Sequence, residues 1–235
     1  MTRVFNSIKL DFLAGRFYLT LYPLFFVLAW AIGTFFKMPI FTVVLVIVLA
    51  VFIAGGVFAS YERNHGEKLH GTLPLKKSDI VVGRYLYGLA IGLAGTVVAG
   101  LLGYLATWVG GSSMASFGPN RPPLTSDPAI ATMLFWGAVG AALLYFCFSL
   151  AVAFPIYFRF GFSRSYIFTM LPLYLIIIAV LLITRLLHPS LGLNDTIQFL
   201  IDHVYLLPLI GLVAGVILWG ISLLIARVIY ARKEI

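Results

Sequence analysis

The sequence predicts an all-α integral membrane protein with six transmembrane helices. Of its 235 residues, 62% are hydrophobic and 10% are charged, with a mean hydropathy of +1.06, whereas ordinary soluble domains carry about 25% charged residues. The charges leave six uncharged runs, each with about the 20 residues that a helix needs to cross about 30 Å of hydrocarbon. The alternation of a membrane β-strand is absent, so helices must satisfy the backbone in lipid. The runs are Phe17–Phe36, Met38–Tyr61, Tyr85–Asn120, Pro128–Phe158, Ser165–Thr184 and Val204–Ala226.

Residues 1–16 precede the first run and predict a short amphipathic helix in the membrane interface. The alternative is a frayed basic tail. The apolar residues at helical spacing are Met1, Val4, Phe5, Ile8 and Phe12, and the polar ones elsewhere are Arg3, Ser7, Lys9 and Arg16. Because six spans leave no room for a folded soluble domain, residues 1–235 would form a single transmembrane domain.

The connections between the first four runs differ in character. Lys37, Met38 and Pro39 indicate a tight turn, so the first two spans should form a hairpin. Ser78 and Asp79 are good helix starters and predict a helix that continues into the third span. The segment Gly110–Pro128 is rich in Gly, Ser and Pro and should be irregular.

The later connections are shorter or partly helical. We expect the fourth span to end near Pro155–Tyr157 and a turn to follow over Phe158–Ser165. In Leu187–His203, the run Asn194-Asp195-Thr196 can cap a short amphipathic or re-entrant helix. An ordinary loop is the alternative there.

Two pairs of glycines are spaced to allow close helix packing. Gly88 with Gly92, and Gly211 with Gly215, form GxxxG motifs in the third and last spans. Packing within the chain is favoured over packing on a partner subunit. The lone Cys147, inside the fourth run, is best explained as a small buried filler.

Basic residues are unevenly divided between the two sides that six spans would create. Residues 1–16, 61–84, 157–166 and 227–235 hold thirteen of the sixteen Lys and Arg residues, and the other side holds only Lys37, Arg121 and Arg185. The positive-inside rule therefore places both termini in the cytoplasm. The net charge of +8 suits orientation and attraction to anionic lipid. Nucleic acid is the weaker explanation, because the basic residues are spread over four segments.

The sequence lacks the residues that several classes of membrane protein need for their function. The six runs contain no Asp, Glu, Lys, Arg or His, so an intramembrane enzyme or a proton-coupled carrier would lack its usual ionisable groups. No metal or cofactor motif is present. A P-loop requires Gly before Lys, and none of the six lysines follows Gly. Active transport would therefore need a separate ATPase subunit.

The segment 61–84 concentrates charge and carries a family resemblance. Eight of the 24 charged residues lie in it. The loop between the second and third spans of permease subunits of the ATP-binding-cassette type-2 family resembles this segment at Glu62 and Glu67, Leu73-Pro74, Lys76-Lys77-Ser78, and Ile80-Val81 with Arg84-Tyr85-Leu86. The closest likeness is to bacterial exporters of amphipathic or antimicrobial peptides, of the phenol-soluble modulin and bacitracin-resistance types. Lys76-Lys77 departs from the commoner Ser-Arg pair.

The resemblance implies a coupling helix at about Glu62–Thr72 that docks on a cytoplasmic ATPase subunit. Two permease subunits, identical or paralogous, would enclose the path of an amphipathic or hydrophobic substrate. Glu62 and Glu67 would pair with basic groups of the ATPase, Leu69 and Leu73 would fill apolar pockets, and Pro74 would end the helix. The full set of implied ATPase contacts is Glu62, Arg63, Glu67, Lys68, Leu69, Leu73, Pro74, Lys76 and Lys77.

Three other interpretations remain at this point. The loop 61–84 would be only a solvated connector if its charge served orientation alone, and Gly66 and Gly71 weaken any helix in it. The chain would be a secondary carrier or channel if transport needed no nucleotide. It would be a membrane scaffold or immunity protein if it transported nothing.

Overall fold

Six helices make up the described part of the chain in a computed structural model, which describes residues 2–64, 76–110, 128–165, 167 and 207–232. Their order along the chain is α1 (Thr2–Ala14), α2 (Arg16–Phe35), α3 (Pro39–Arg63), α4 (Lys77–Gly110), α5 (Pro128–Phe160) and α6 (Leu207–Ala231). No strand occurs in these ranges.

Four of these helices are long and apolar enough to cross a membrane, namely α3, α4, α5 and the Val213–Ala231 part of α6. A fifth crossing results if Val4–Ala14 and Leu19–Phe35, bent by 64°, count as one broken span. The chain is therefore a multi-pass membrane protein whose described part is all-helical. The count of six spans stays a prediction, because the run Ser165–Thr184 lies almost wholly outside the described residues, as does the segment Leu187–His203.

Of two predicted helix boundaries, the structure confirms one and corrects the other. Helix α4 begins at Lys77, with Asp79 in its first turn, as the Ser78-Asp79 pair predicts. The expectation that the fourth span ends near Pro155–Tyr157 is wrong for the helix, since α5 continues through Pro155 to Phe160. Proline is tolerated within membrane helices because neighbouring groups satisfy the backbone it frees.

The predicted hairpin between α2 and α3 is present and is closed by a helix C-cap. The N–H of Lys37 donates to Thr34 O at 3.1 Å and that of Met38 donates to Gly33 O at 2.8 Å, which is the Schellman pattern. Lys37 adopts the left-handed φ of 54° that this pattern requires. Pro39 then occupies the first turn of α3, where its missing N–H has no cost.

We expect Lys37→Gly to stabilise the protein by about 1 kcal/mol, because a left-handed conformation strains any residue with a Cβ. The midpoint of thermal unfolding in mild detergent would report the change. Lys37→Ala is the matched control, since it removes the same charge and keeps the strain. Equal stability of the two variants would contradict the explanation.

Helix α3 is the most buried of the membrane helices and contacts α1, α2, α4 and α5. Successive helices from α2 to α5 run antiparallel, but α5 and α6 run in the same direction. Their contacts advance together along both helices: Cys147 lies beside Gly215, Ala151 beside Ser222, and Phe158 beside Tyr230. The end of α5 at Phe160 and the start of α6 at Leu207 therefore lie at opposite ends of the bundle.

Three glycines of the GxxxG motifs, Gly88, Gly92 and Gly215, pack within the chain, as the sequence favours. Cβ atoms built on Gly88 and Gly92 would meet the rings of Phe154 and Phe146 of α5. A Cβ on Gly215 would lie 3.4 Å from Cβ of Cys147, also on α5. Helix α5 is thus the common partner on which α4 and α6 close, and Cys147 fills space at the second contact.

A buried hydroxyl chain joins the same three helices. The Ser222 hydroxyl donates to Ala151 O at 2.6 Å, so its single proton is used there. The Tyr85 hydroxyl, 2.6 Å from Ser222 Oγ, must then be the donor in that second bond. These bonds satisfy polar groups of α4, α5 and α6 away from water.

Candidate coupling site

The two ends of the charged loop lie together at one end of the bundle. Glu62 lies in the last turn of α3, and Arg84 lies about two turns after the start of α4. The same end holds α1, the turn after α5 and Tyr230 near the end of α6. The structure thus places residues from all four segments that the charge count assigned to one side in a single cluster.

Arg84 is the centre of this cluster although it is 5% exposed. Its Nε lies 3.9 Å from Oδ1 of Asp11, which is 1% exposed. The guanidinium carbon lies 4.5 Å from the ring centroid of Phe58, 4.6 Å from that of Tyr61 and 5.4 Å from that of Phe158. Arginine suits such a site because its planar, weakly hydrated cation stacks on aromatic faces while it pairs with a carboxylate.

Helix α1 is held on α4 by small and polar residues. Ser7 is buried against Gly83, where a Cβ would come within 2.6 Å of the Ser7 hydroxyl. One turn further along α1, Asp11 meets Arg84. At the next turn Gly15 lies against the hydroxyl of Tyr87, which a Cβ at Gly15 would approach to 2.8 Å.

The outward face of α1 is apolar with exposed basic side chains. Phe5 and Leu13 are largely exposed, Lys9 is exposed between them, and Arg16 is exposed at the start of α2. Such a surface suits the boundary between headgroups and acyl chains, and the position of α1 in that boundary stays a prediction.

Glu62 joins the other root of the loop to the turn after α5. Its Oε2 accepts hydrogen bonds from the backbone N–H groups of Phe162 and Ser163, both at 2.9 Å. Gly161 precedes them with a φ of +81°, and a Cβ there would lie 3.4 Å from both carboxylate oxygens. Two successive N–H groups that point at one carboxylate form an anion-binding nest.

A cavity of about 30 Å³ lies between these two arrangements, which is enough for a water molecule. The residues around it come from both roots of the loop and from the ends of α5 and α6. They are Phe58, Tyr61, Glu62, Arg84, Tyr157, Phe158, Gly161, Phe162 and Tyr230. We call these residues with Asp11 the loop-root cluster.

The predicted ATPase contacts are only partly covered by the described ranges. Glu62 and Arg63 belong to the last turn of α3 rather than to a separate coupling helix, with Asn64 as the C-cap. Arg63 and Lys76 are exposed, and Lys77 is half-buried at the start of α4. The remaining predicted contacts, Glu67, Lys68, Leu69, Leu73 and Pro74, lie outside the described residues.

The sequence prediction missed Asp11, and it counted Arg84 among the orienting charges and in the family motif without giving it a partner. A signal was present, because Ser7, Asp11 and Gly15 are spaced four apart, which places two polar residues and a glycine on one helix face. Asp11 is also the only acidic residue before Glu62. A single carboxylate on the face opposite the large apolar residues would have indicated a buried partner.

A model of a known protein family matches nearly the whole chain. Residues 8–231 match the family model described as an ABC-2 family transporter protein. No curated protein and no solved structure is significantly similar to the chain. The match covers the loop-root cluster, including Asp11, and the loop between its two roots.

Proposed function

The chain belongs to the ABC-2 family of transporter proteins, and from that premise we propose that it is the permease subunit of an ATP-driven exporter in a bacterial cell membrane. Permeases of this family normally act with an ABC ATPase. This chain has no P-loop lysine, so the ATPase would be a separate subunit. The family match over residues 8–231 is the observation that carries the proposal.

The loop between α3 and α4 would be the docking site of that ATPase. Both of its roots are fixed, Arg84 by the aromatic rings and Asp11, and Glu62 by the turn after α5. A loop held at both ends transmits a displacement to the helices behind it. Glu67, Leu69 and Leu73 would make the principal contacts with the ATPase, with Arg63, Lys68, Pro74, Lys76 and Lys77 around them.

The membrane arrangement would comprise six spans with both termini in the cytoplasm. Because α5 and α6 run in the same direction, the chain between them has to cross once more, and the run Ser165–Thr184 would supply that crossing. The end that holds the loop-root cluster also holds most of the basic residues, so the positive-inside rule places it in the cytoplasm.

The substrate would be amphipathic or hydrophobic, and a peptide would fit, as the resemblance to peptide exporters implies. The uncharged runs offer aliphatic and aromatic walls without fixed charge. Large apolar side chains are exposed on α2, α4 and α6, such as Leu24, Val97 and Val216. These faces would meet lipid and a second permease subunit, identical or paralogous.

The test is purification of the tagged chain from its own host in mild detergent. A soluble ATPase should co-purify in stoichiometric amount. The variant Glu67→Lys with Leu69→Asp should lower the ATPase recovered about tenfold or more, since loss of an interface anchor costs over 1.4 kcal/mol.

The matched control makes equivalent changes in the segment between α4 and α5, which the six-span arrangement would place on the other side of the membrane. Leu124→Asp with Asp127→Lys should leave the ATPase recovery at the wild-type level. Absence of any ATPase from the wild-type complex, or transport that persists without nucleotide, would favour a carrier or channel instead. Wild-type ATPase recovery with the Glu67→Lys, Leu69→Asp variant would show that the loop 61–84 is only a connector.

A further inference from the structure

We propose that Glu62 is a positioning residue that couples the loop between α3 and α4 to helix α5, rather than a contact with the ATPase. The inference rests on the proposed function, because it concerns how motion of the docking loop reaches the membrane helices. It differs from the role that the family resemblance implies for this residue.

The bonds of Glu62 are the first step of the argument. Glu62 lies in the last turn of α3, and the residues it binds follow α5 a hundred positions later. One carboxylate oxygen accepts from two consecutive backbone N–H groups, of Phe162 and Ser163, at 2.9 Å each. Hydrogen bonds to an ionised carboxylate are about twice as strong as those between neutral groups.

The backbone of the turn at residues 161–163 has a conformation that suits a bound carboxylate. The left-handed φ of Gly161, +81°, aims the following two N–H groups at the same point. A Cβ at Gly161 would stand 3.4 Å from both carboxylate oxygens, so the carboxylate fills the concave side of the turn. A basic group of a partner protein would have to compete with these bonds for Oε2.

The turn is also fastened to the helices around it. The Phe162 ring packs on Tyr157 of α5 with centroids 5.2 Å apart. It also lies against Gly55 of α3, where a Cβ would be 3.3 Å from Phe162 Cε2. The Glu62 carboxylate and the Phe162 ring therefore connect the end of α3 to the end of α5. A displacement of α3 would be transmitted to α5 through these two contacts.

The two acidic residues Glu62 and Glu67 would therefore have different roles. Glu67, within the loop, would bind the ATPase, and Glu62, at the root, would pass the movement on. Removal of Glu62 should leave docking intact and separate the movements of α3 and α5. A conformational change is shared by two elements only when a physical connection biases both.

The first measurement is ATPase recovery with the Glu62→Ala variant. Recovery should stay within about twofold of wild type, whereas Glu67→Lys with Leu69→Asp lowers it about tenfold. Asn64→Ala, an exposed neighbour at the end of α3, is the control for substitution at this position. Loss of ATPase from Glu62→Ala as large as that from the loop variant would overturn the proposal.

The second measurement follows the movement itself and needs no substrate. Spin labels at Asn64→Cys and Phe160→Cys, in a Cys147→Ser background, report the distance between the ends of α3 and α5 in the complex. Addition of ATP with vanadate should leave this distance unchanged when Glu62 is present. In Glu62→Ala the distance should shift by at least about 2 Å, the scale of helix movements in coupled proteins, and Glu62→Gln should restore most of the wild-type behaviour.

Gly161→Ala tests the contact between Glu62 and the turn after α5 by changing the turn. It replaces Glu62→Ala as the test of the proposal if that variant does not accumulate. The added Cβ strains the left-handed turn and should give the uncoupled distance change with ATPase recovery retained. Unchanged distances in both variants would overturn the proposal. A wild-type complex without ATPase would instead remove the proposed function, so the two failures are distinguishable.

Discussion

Arg84→Ala should lower the free energy of unfolding by about 3–5 kcal/mol, because it leaves the carboxylate of Asp11 buried without its cation. Asp11 is 1% exposed and Arg84 is 5% exposed, so the carboxylate would stay in a largely apolar site where an unpaired charge is costly. Arg84→Lys should recover only part of the loss, since an ammonium group cannot stack on the rings of Phe58 and Tyr61 as a planar guanidinium does.

A double-mutant cycle with Asp11→Ala measures the pair directly. The double variant should be more stable than the sum of the two single losses predicts, because it leaves no unpaired charge. Unfolding midpoints in mild detergent are the measurement. Arg159→Ala is the control, since that arginine is exposed with its guanidinium carbon 5.0 Å from the centroid of the exposed Phe160 ring, and its loss should change stability by well under 1 kcal/mol.

Strict additivity of the two single losses would mean that Asp11 and Arg84 do not interact across the 3.9 Å between them. The rings of Phe58, Tyr61 and Phe158 would then account for the position of Arg84. Such a result would also weaken the connection proposed between α1 and the root of the loop.

Gly92→Ala should destabilise the protein by about 1–3 kcal/mol through overpacking. A Cβ at Gly92 would overlap the ring of Phe146, lying 2.6 Å from Cδ1 and 2.9 Å from Cζ. Phe146 is fully buried, so its ring has no free space to enter. The contact between α4 and α5 would have to widen, and the unfolding midpoint in detergent should fall.

Gly100→Ala is the matched control on the same helix. A Cβ there would lie 3.4 Å or more from Trp136 and Val139, which is ordinary contact, and alanine has the better helix propensity. Stability should hold or rise slightly. Phe146→Leu should rescue Gly92→Ala in part, and a failure of this rescue would show that Phe146 is not the obstacle.

The glycines show how much of the helix packing could be predicted from the sequence. The GxxxG spacing indicated that α4 and α6 approach other helices closely, but spacing does not identify the partner. Cys147 and Phe146 on α5 receive those glycines, and neither residue carries a pattern that would reveal it. Long helices in lipid are similar in composition all round, so the periodicity that marks a buried face in water is weak here.

The site was predictable in place but not in its internal contacts. The charge of the loop 61–84 predicted an end of the bundle that faces water, and docking of a soluble partner there stays a proposal. The sequence assigned Glu62 to the ATPase by analogy, whereas its carboxylate binds the turn after α5. It also treated Arg84 as an orienting charge, although Arg84 is buried among rings from two other helices.

The sequence alone determined the all-helical membrane class, the hairpin at Lys37 and the start of α4, together with the segments that lie at one end of the bundle. These follow from the length of uncharged runs, from turn and cap residues and from the position of charges, which are local properties that the bilayer selects. Only the tertiary structure decided that Asp11 pairs with Arg84 and that Glu62 caps a turn a hundred residues away. Such contacts depend on which helices become neighbours, and that depends on the fit of many side chains at once rather than on any one segment.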